Sequence, residues 1–304
     1  MYIDRAVIEV NGGCNYTCKM CPQTGPDGKT GARGKNWLKK LPLDKFEDII
    51  KQLKPNVVNL DGSGEATLNR DLPMYIDVVK KYNAKAYVFS NGSKMQGSFM
   101  RDCVDAGLDF YRFSIIGYNE ETYQQWMNSF NFNKVLENMF AMREYASDRC
   151  QVASYHLILN NDQIDYEKQK YLDMVCGGLV EIWKMHNWAG SYKSDRKGSK
   201  RTCGRPFSPD AVIRANGAVH PCCQVLGRDD EAVLGNVYDN TFRDIWYGKA
   251  YSDLRERHRS GDFPSFCKDC DFLIDDPEVL IYTNYAQSNK MNGASFSLSD
   301  FQGK

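Results

Sequence analysis

The chain has 304 residues, enough for about two domains or one large α/β domain with an appendage. Hydrophobic residues make up 42% and charged residues 26%, which supports a packed core and excludes wholesale disorder. Lys+Arg and Asp+Glu both number 39, so the general electrostatic footprint of nucleic-acid binding is absent. No apolar run reaches the roughly 18 residues of a membrane span, and the start MYIDRAVIEV lacks a secretory signal. A cytoplasmic protein that engages neither membrane nor nucleic acid is expected.

The first two-thirds alternate strand-like and helix-like segments. Arg5–Val10 reads as a strand and Leu43–Leu53 as a helix. Asn56–Leu60 is a short apolar strand ending at Asp61-Gly62. Leu72–Tyr82 is helical, Ala84–Ser90 a strand closed by Asn91-Gly92, and Phe99–Gly107 a helix stopped by glycine. Asp109–Ile116 is a strand, and one long helical stretch runs on to Ala146. Strands at Val152–Leu159 and Leu179–Met185 flank a helix near Tyr166–Cys176. Six strands, each followed by a helix or long loop, imply parallel pairing with right-handed crossovers and an open, partial barrel. Chemistry in such sheets collects at the C-terminal strand ends. After Gly190 the pattern changes. Ser191–Lys200 reads as a linker or mobile loop, Val212–Arg214 and Ala218–His220 as a hairpin about Asn216-Gly217, and Thr241–Ser260 as one helix. The Ser-, Asn- and Gly-rich tail beyond Ser288 is expected to fray.

Eleven cysteines, an odd count in a chain without an export signal, argue against a disulfide scaffold and for metal. Cys14, Cys18 and Cys21 fall within eight residues just after the first strand, in Asn11-Gly-Gly-Cys-Asn-Tyr-Thr-Cys-Lys-Met-Cys-Pro22. Neither helical nor strand packing places three thiols so densely; a loop wrapped around a soft metal centre does. Three ligands leave one iron of a four-iron cluster open. A structural zinc knuckle completed by a distant fourth ligand is the plainer alternative.

Cys14-x3-Cys18-x2-Cys21 resembles the signature of the radical S-adenosylmethionine (SAM) superfamily. That resemblance implies a [4Fe–4S] cluster whose open iron binds SAM, and one-electron cleavage of SAM to a 5′-deoxyadenosyl radical. Met20 stands where the family often has an aromatic residue near the adenine. Gly62-Ser63-Gly64-Glu65, after the second strand, is similar to the family's Gly-Gly-Glu segment, which holds the SAM ammonium. Asn91 closes the third strand, and Ser114 on the fourth takes the place of a ribose-contacting group. Taken singly, Glu65 reads as a solvated loop residue and Ser114 as a small inward one; their order and spacing carry the resemblance, which spans about Arg5 to Gly190.

A second set comprises Cys203, Cys222, Cys267 and Cys270. Thirteen residues separate Cys203 from Gly217, and four separate Gly217 from Cys222. With Leu234-Gly-Asn-Val237, Asp244-Ile-Trp246 and Cys267-Lys-Asp-Cys270, this is similar to the SPASM/twitch extension in its shorter, twitch form. It implies one auxiliary [4Fe–4S] cluster closed by four thiolates; a zinc ribbon is the structural alternative. Cys222 fits the spacing, although adjacent Cys223 leaves the choice open. Cys103, Cys150 and Cys176 are expected to be buried as small hydrophobes.

The expected fold is therefore α/β: a partial (β/α)6 radical SAM barrel over 1–190, a small α+β twitch domain over 191–288, and a tail over 289–304. The resemblance implies two 4Fe–4S clusters, SAM, and a flavodoxin- or ferredoxin-type electron donor. It implies hydrogen abstraction from a small hydroxyl-bearing, sugar- or cyclitol-like substrate, with oxidation through the auxiliary cluster. The first strand starts within about five residues of Met1, which favours a small molecule over a peptide. Peptide modification or cofactor maturation, a redox-neutral isomerase or dehydratase, and a two-cluster electron carrier are the alternatives. His186 and Lys184, at the end of the sixth strand, are the candidate proton acceptors. Tyr155 and His156 follow, of which one should point inward.

Overall fold

The computed structural model describes residues 3–25, 40–158, 160–193, 198–228, 230–274 and 280–285. The expected tail beyond Ser288 lies outside them. Strands β1 (Arg5–Ile8), β2 (Val57–Asn59), β3 (Lys85–Ser90), β4 (Phe110–Ser114), β5 (Gln151–Ile158) and β6 (Leu179–Lys184) pair in sequence order, all parallel. Helices α1 (Leu43–Leu53), α2 (Leu72–Lys81), α3 (Gly97–Asp105), α4 (Glu120–Met127), α5 (Phe132–Ala146) and α6 (Ile164–Val175) make the crossovers. In α1, Phe46, Ile49, Ile50 and Leu53 recur at helical spacing and are buried, and Lys54 ends the helix in the left-handed region.

The stretch expected as one helix up to Ala146 is two. Asn128 adopts φ 50° and closes α4, so the chain turns before α5. Thr241–Ser260 divides likewise into α7 (Phe242–Tyr247) and α8 (Lys249–Ser260), because Gly248 is extended between them.

Register sets two rows of side chains. Ala6, Val58, Ala86, Val88, Tyr111, Phe113, Val180 and Ile182 belong to the main core with the helices. The alternate positions Val57, Tyr87, Phe89, Phe110, Ala153 and Leu179 form a separate apolar cluster with Tyr285. That second cluster plugs the inner face of the curved sheet, and polar inner-face residues lie above it toward the strand ends.

The sheet does not stop at residue 190. Strand β7 (Asp210–Ile213) pairs parallel with β1, and β8 (Ala218–His220) and β9 (Gly235–Asn236) continue antiparallel. At the opposite edge β10 (Leu280–Thr283) pairs antiparallel with β6. The expected second unit over 191–288 thus extends both edges of the barrel sheet, because each edge offers unpaired backbone groups that another strand satisfies. The hairpin about Gly217 is present, with φ 83° at that glycine. The described ends of the expected linker are tied down: Tyr192 donates its hydroxyl to Lys19 O at 2.9 Å, and Lys200 bridges Ile274.

Candidate active site

The loop after β1 carries the first three cysteines and is anchored at many points. Asn11 donates its side-chain amide to Gly13 O at 2.7 Å and Glu65 O at 2.9 Å, and Glu65 N–H donates to Gly13 O at 2.7 Å. Asn91 donates to Asn15 Oδ1 at 3.0 Å, and Asn15 in turn to Ser93 Oγ at 2.9 Å. Lys19 N–H reaches Trp126 O at 2.9 Å. These contacts bring Cys14, Cys18 and Cys21 to the C-terminal ends of β1 to β3. Gly64 has no room for a side chain: a Cβ there would lie 2.3 Å from Asn11 O and 2.5 Å from Gly13 O. At Gly62 it would meet Glu9 Cβ at 2.6 Å. The glycines expected to hold SAM therefore also let the second loop close on the cysteine loop.

Burial, with Glu65 and Cys21 nearby, pushes the Cys14 thiol up to about 12. Cys18 is raised well above its usual range by burial, Cys21 and Cys14. Thiols so placed stay protonated unless a strong cation displaces the protons, which is what coordination to iron does.

The Glu65 carboxylate is saturated by the protein. Oε1 accepts from Thr67 N–H at 3.0 Å, Thr67 Oγ1 at 2.6 Å and Ser90 Oγ at 2.6 Å, and Oε2 accepts from Asn91 N–H at 2.8 Å. It locks the β2 loop to the β3 end. Glu9, which the sequence reading missed, does the same at β1. It is 1% exposed, accepts from Ser63 N–H and Ser63 Oγ, and accepts from Ala215 N–H at 3.2 Å. Arg214 stands 3.8 Å from it.

Cys203, Cys222, Cys267 and Cys270 converge. Beyond burial, Cys267 feels Cys222, Cys203 and Cys270, and Cys270 feels Cys203 and Cys222; burial raises both thiols. Cys222 is pushed up to about 12 by burial, Cys223 and Cys203, against the pull of Arg205. Cys223 points elsewhere, taking a contact from Arg205 Nη1 at 3.6 Å and lying close enough to Tyr155 to raise its pKa. Among the described residues, no three His, Cys, Asp or Glu side chains converge on a single-ion site.

The two cysteine regions touch. Gln23 donates its amide to Leu226 O at 3.0 Å. At β6, Asn187 N–H donates to Asp271 Oδ2 at 2.9 Å, its side-chain amide to Asp269 O at 2.7 Å, and Asp271 N–H returns to Asn187 Oδ1 at 3.1 Å. The Cys267–Cys270 segment is thereby stapled to the barrel mouth.

Among the other expected residues, Met20 is buried in the core and Ser114 ends β4 on the inner face, level with Tyr155. Lys184 pairs with Ile158, in the row of His156 and Ile182 that faces the helices. It is therefore not on the inner face, because strand alternation sends it to the other side. His156 lies on that outer side too, stacked on Tyr171 at 4.5 Å and 3.5 Å from Glu167. Tyr155 is the inward one of that pair. His186 follows the end of β6, between Trp188 at 4.3 Å and Phe272 at 5.3 Å, and its Nδ1 accepts Trp188 N–H at 3.3 Å. Cys103 and Cys150 are buried as expected; Cys176 is exposed, because it closes α6 in the left-handed region.

Further polar groups occupy the inner face, none of them expected from the sequence. Arg112 on β4 lies over the Phe89 ring at 3.8 Å and the Tyr155 ring at 4.3 Å, and donates to Glu181 Oε1 at 3.1 Å. Glu181 also accepts from Trp183 Nε1 and from Tyr285 Oη. Asp61 lies just beyond the C-terminal end of β2, close enough to Arg112 to feel its charge. A charge inside an otherwise apolar strand, as in FYRFS and LVEIWK, is the signal that could have found Arg112 and Glu181.

A parallel partial barrel with a three-thiol loop at its strand ends, joined to a second four-thiol region, is the architecture of an iron–sulfur enzyme. Residues 8–167 match the radical SAM superfamily, and residues 203–271 match the SPASM iron–sulfur cluster-binding domain. The chain belongs to the radical SAM superfamily, with SAM and a 4Fe–4S cluster as cofactors and further iron–sulfur binding in its SPASM region. It is 21% identical to the tungsten-containing aldehyde ferredoxin oxidoreductase cofactor-modifying protein of Pyrococcus furiosus, over 86% of each chain. It is 22% identical to the S-adenosyl-L-methionine-dependent 2-deoxy-scyllo-inosamine dehydrogenase of Niallia circulans, over 86% of this chain and 90% of that one. The crystal structure of BtrN in complex with AdoMet and 2-DOIA superposes with a TM-score of 0.61 at 17% identity, covering 93% and 99% of the two chains. That of Streptococcus suis SuiB bound to precursor peptide SuiA gives 0.65 at 14% identity, covering 90% and 70%. No described helix is long and apolar enough to cross a membrane.

Proposed function

We propose that this enzyme oxidises a secondary hydroxyl of a small cyclitol- or sugar-like substrate to a ketone. The observation that carries the reading is the second cysteine set: four thiols near enough to feel one another, enough to fill a cluster's ligation, on a segment stapled to the barrel mouth through Asn187 and Asp271. When bound, SAM at the three-thiol cluster supplies an acceptor for the substrate's hydrogen atom, and the second cluster supplies an acceptor for one electron.

The chain's own residues do the rest. Cys14, Cys18 and Cys21 hold the first cluster, and Cys203, Cys222, Cys267 and Cys270 the second. Gly62, Ser63, Gly64 and Glu65, with Met20, Asn91 and Ser114, shape the SAM site. Residues 1–190 supply the barrel and the cysteine-bearing segment beyond them the electron exit. His186 lines the mouth. Its Nδ1 accepts from Trp188 N–H, and Trp188 and Phe272 flank the ring. The first cluster is charged by a flavodoxin- or ferredoxin-type donor in the cytoplasm.

The likeness to a cofactor-modifying protein favours a second reading, in which the substrate is a larger molecule under maturation. The test supplies reduced, reconstituted protein with SAM and cyclitols deuterated at the carbinol carbon. Label in 5′-deoxyadenosine together with ketone is the expected result. A product that keeps the substrate's oxidation state overturns the dehydrogenase reading.

A further inference from the structure

Three buried polar atoms on the inner face of the barrel have no hydrogen-bond partner among the described residues: Asn59 Oδ1, Asp61 Oδ1 and Arg112 Nε. They sit together by construction of the sheet. Asn59 is level with Tyr87, and Phe89 with Arg112, so β2, β3 and β4 present these side chains to one face. Asp61 follows Asn59 by two residues and directly precedes the Gly62–Glu65 loop. Buried polar atoms are costly to leave unpaired, and a cluster of them beside a reaction centre is the mark of a ligand's place.

The guanidinium of Arg112 is fixed before any ligand arrives. Phe89 and Tyr155 lie against its faces, and Glu181 takes one terminal nitrogen. Glu181 is itself held by Trp183 and Tyr285. Arg112 is thus neutralised on one edge, while its Nε still offers a hydrogen bond. An anionic ligand would find its attraction already spent on Glu181 and would meet Asp61. A hydroxyl satisfies both an unpaired N–H and an unpaired carboxylate oxygen, and an ammonium satisfies the carboxylate.

We propose that Asp61, Arg112 and Glu181 form the polar floor of the substrate site, that this floor selects a neutral or cationic polyol over an anionic one, and that Asp61 accepts the hydroxyl proton. The proposal rests on the oxidation reading above. A secondary alcohol becoming a ketone loses a hydrogen atom from carbon to the SAM-derived acceptor, an electron to the second cluster, and a proton from oxygen. Among the described residues, Lys184 faces the helices and His186 Nδ1 accepts from Trp188 N–H, whereas Asp61 keeps a carboxylate oxygen unpaired on the inner face. Burial lifts the Asp61 carboxyl to about 6, against the pull of Arg112 on β4, Asn59 on β2 and Arg5 on β1, with Glu65 pushing further up. It is ionised at neutral pH and poised to be protonated.

The test measures binding by calorimetry to reconstituted, unreduced protein with SAM bound, so that no turnover occurs. The probes share one ring size: 2-deoxy-scyllo-inosamine as cation, myo-inositol as neutral polyol and quinate as anion. The expected order is amine first, inositol next and quinate at least a hundredfold weaker than the amine. Asp61→Asn should weaken the amine at least tenfold while leaving SAM affinity and the melting temperature near wild type. Arg112→Lys, which keeps the charge but loses Nε and the stacking plane, should weaken amine and inositol alike. Amine affinity should fall as pH drops through about 6 in wild type and lose that dependence in Asp61→Asn. Quinate binding as tightly as the amine, an unchanged amine affinity in Asp61→Asn, or no binding by any of the three overturns the proposal. Ketone formation at the wild-type rate by Asp61→Asn removes the proton role. Tight amine binding without ketone on reduction leaves the floor standing and breaks the dehydrogenase reading instead.

Discussion

The two cysteine regions are built by opposite means. The first is one short loop whose three thiols are close in sequence, and its shape is imposed from outside by Asn11, Asn15, Glu65 and Asn91. The second gathers thiols that are far apart in sequence, 203 to 270, and is shaped by the chain folding on itself across β7, β8 and α9 (Ser265–Lys268). On the function proposed above, the first leaves a coordination position open and is rimmed by glycines that admit a ligand, and the second is closed by four thiols and takes only electrons. The proposal is thus a division of labour: one centre binds and cleaves, the other receives.

The sharpest way to break that division is to delete each centre. Holoprotein should contain about eight irons, from two four-iron clusters. Cys14, Cys18 and Cys21 replaced together by Ala should leave about half the iron and no 5′-deoxyadenosine above background. Cys267 and Cys270 replaced by Ala should retain 5′-deoxyadenosine formation and the transfer of substrate deuterium while ketone disappears. Ketone at the wild-type rate without the second cluster would make that region structural.

The next effect tests the glycine rim. Gly64→Ala puts a methyl 2.3 Å from Asn11 O, a clash with backbone rather than with a flexible side chain. The loop must shift, at a cost of about 1–3 kcal/mol, and SAM affinity should fall at least tenfold, measured by equilibrium dialysis on protein with full iron content. Gly261→Ala, where a Cβ meets nothing within 4 Å, tests the same change away from both centres. Its φ of 78° makes it mildly destabilising, with SAM affinity unchanged. Equal SAM affinity in both variants would remove the close-approach argument.

A smaller effect is expected at Glu65. Glu65→Ala strips the acceptor from Thr67, Ser90 and Asn91, leaving buried donors unpaired at a cost of about 1–3 kcal/mol. The β2 loop loosens and SAM affinity should drop about tenfold, while iron at the second centre stays. Retained affinity would show that the backbone of Gly62–Gly64 suffices.

Much of this was legible in the sequence, for a physical reason: three thiols in eight residues have no packing explanation, and glycines at strand ends have few. The side on which a strand residue falls was less legible. Lys184 and His186 share a parity, but β6 ends at Lys184, whose register partner Ile158 puts it with the helices. Only pairing with β5 shows this. Asp61, Arg112 and Glu181 look like isolated charges along the chain and become a group only when β2 to β6 are set side by side. Cys222 and Cys223 likewise differ only in the fold: the Cys267 thiol feels Cys222, and Arg205 contacts Cys223. The continuation of the sheet by β7 and β10 was illegible too, because pairing between strands so far apart in the chain, parallel with β1 and antiparallel with β6, leaves no local trace.

The smallest predicted effect concerns the joint between the two centres. Asn187 holds the Cys267–Cys270 segment to the end of β6 with its side chain donating to Asp269 O and accepting from Asp271 N–H and Gly190 N–H. Asn187→Ala removes those three bonds but keeps the backbone bond from Asn187 N–H to Asp271. At about 0.5–1.5 kcal/mol each, with partial rescue by water, the net loss should be about 2 kcal/mol, read as a melting temperature lower by several degrees. The thiols themselves stay in place, so iron content should match wild type. Loosening matters to the proposed electron exit, however, because that reading requires the second centre to stay close to the substrate. The ratio of ketone to 5′-deoxyadenosine should fall about threefold, with the rate of 5′-deoxyadenosine formation unchanged. Gln23→Ala, which cuts a further direct link at Leu226 O, should lower that ratio in the same direction. If both variants keep the wild-type ratio while melting earlier, the joint serves stability alone and the electron does not depend on the fit between the two regions.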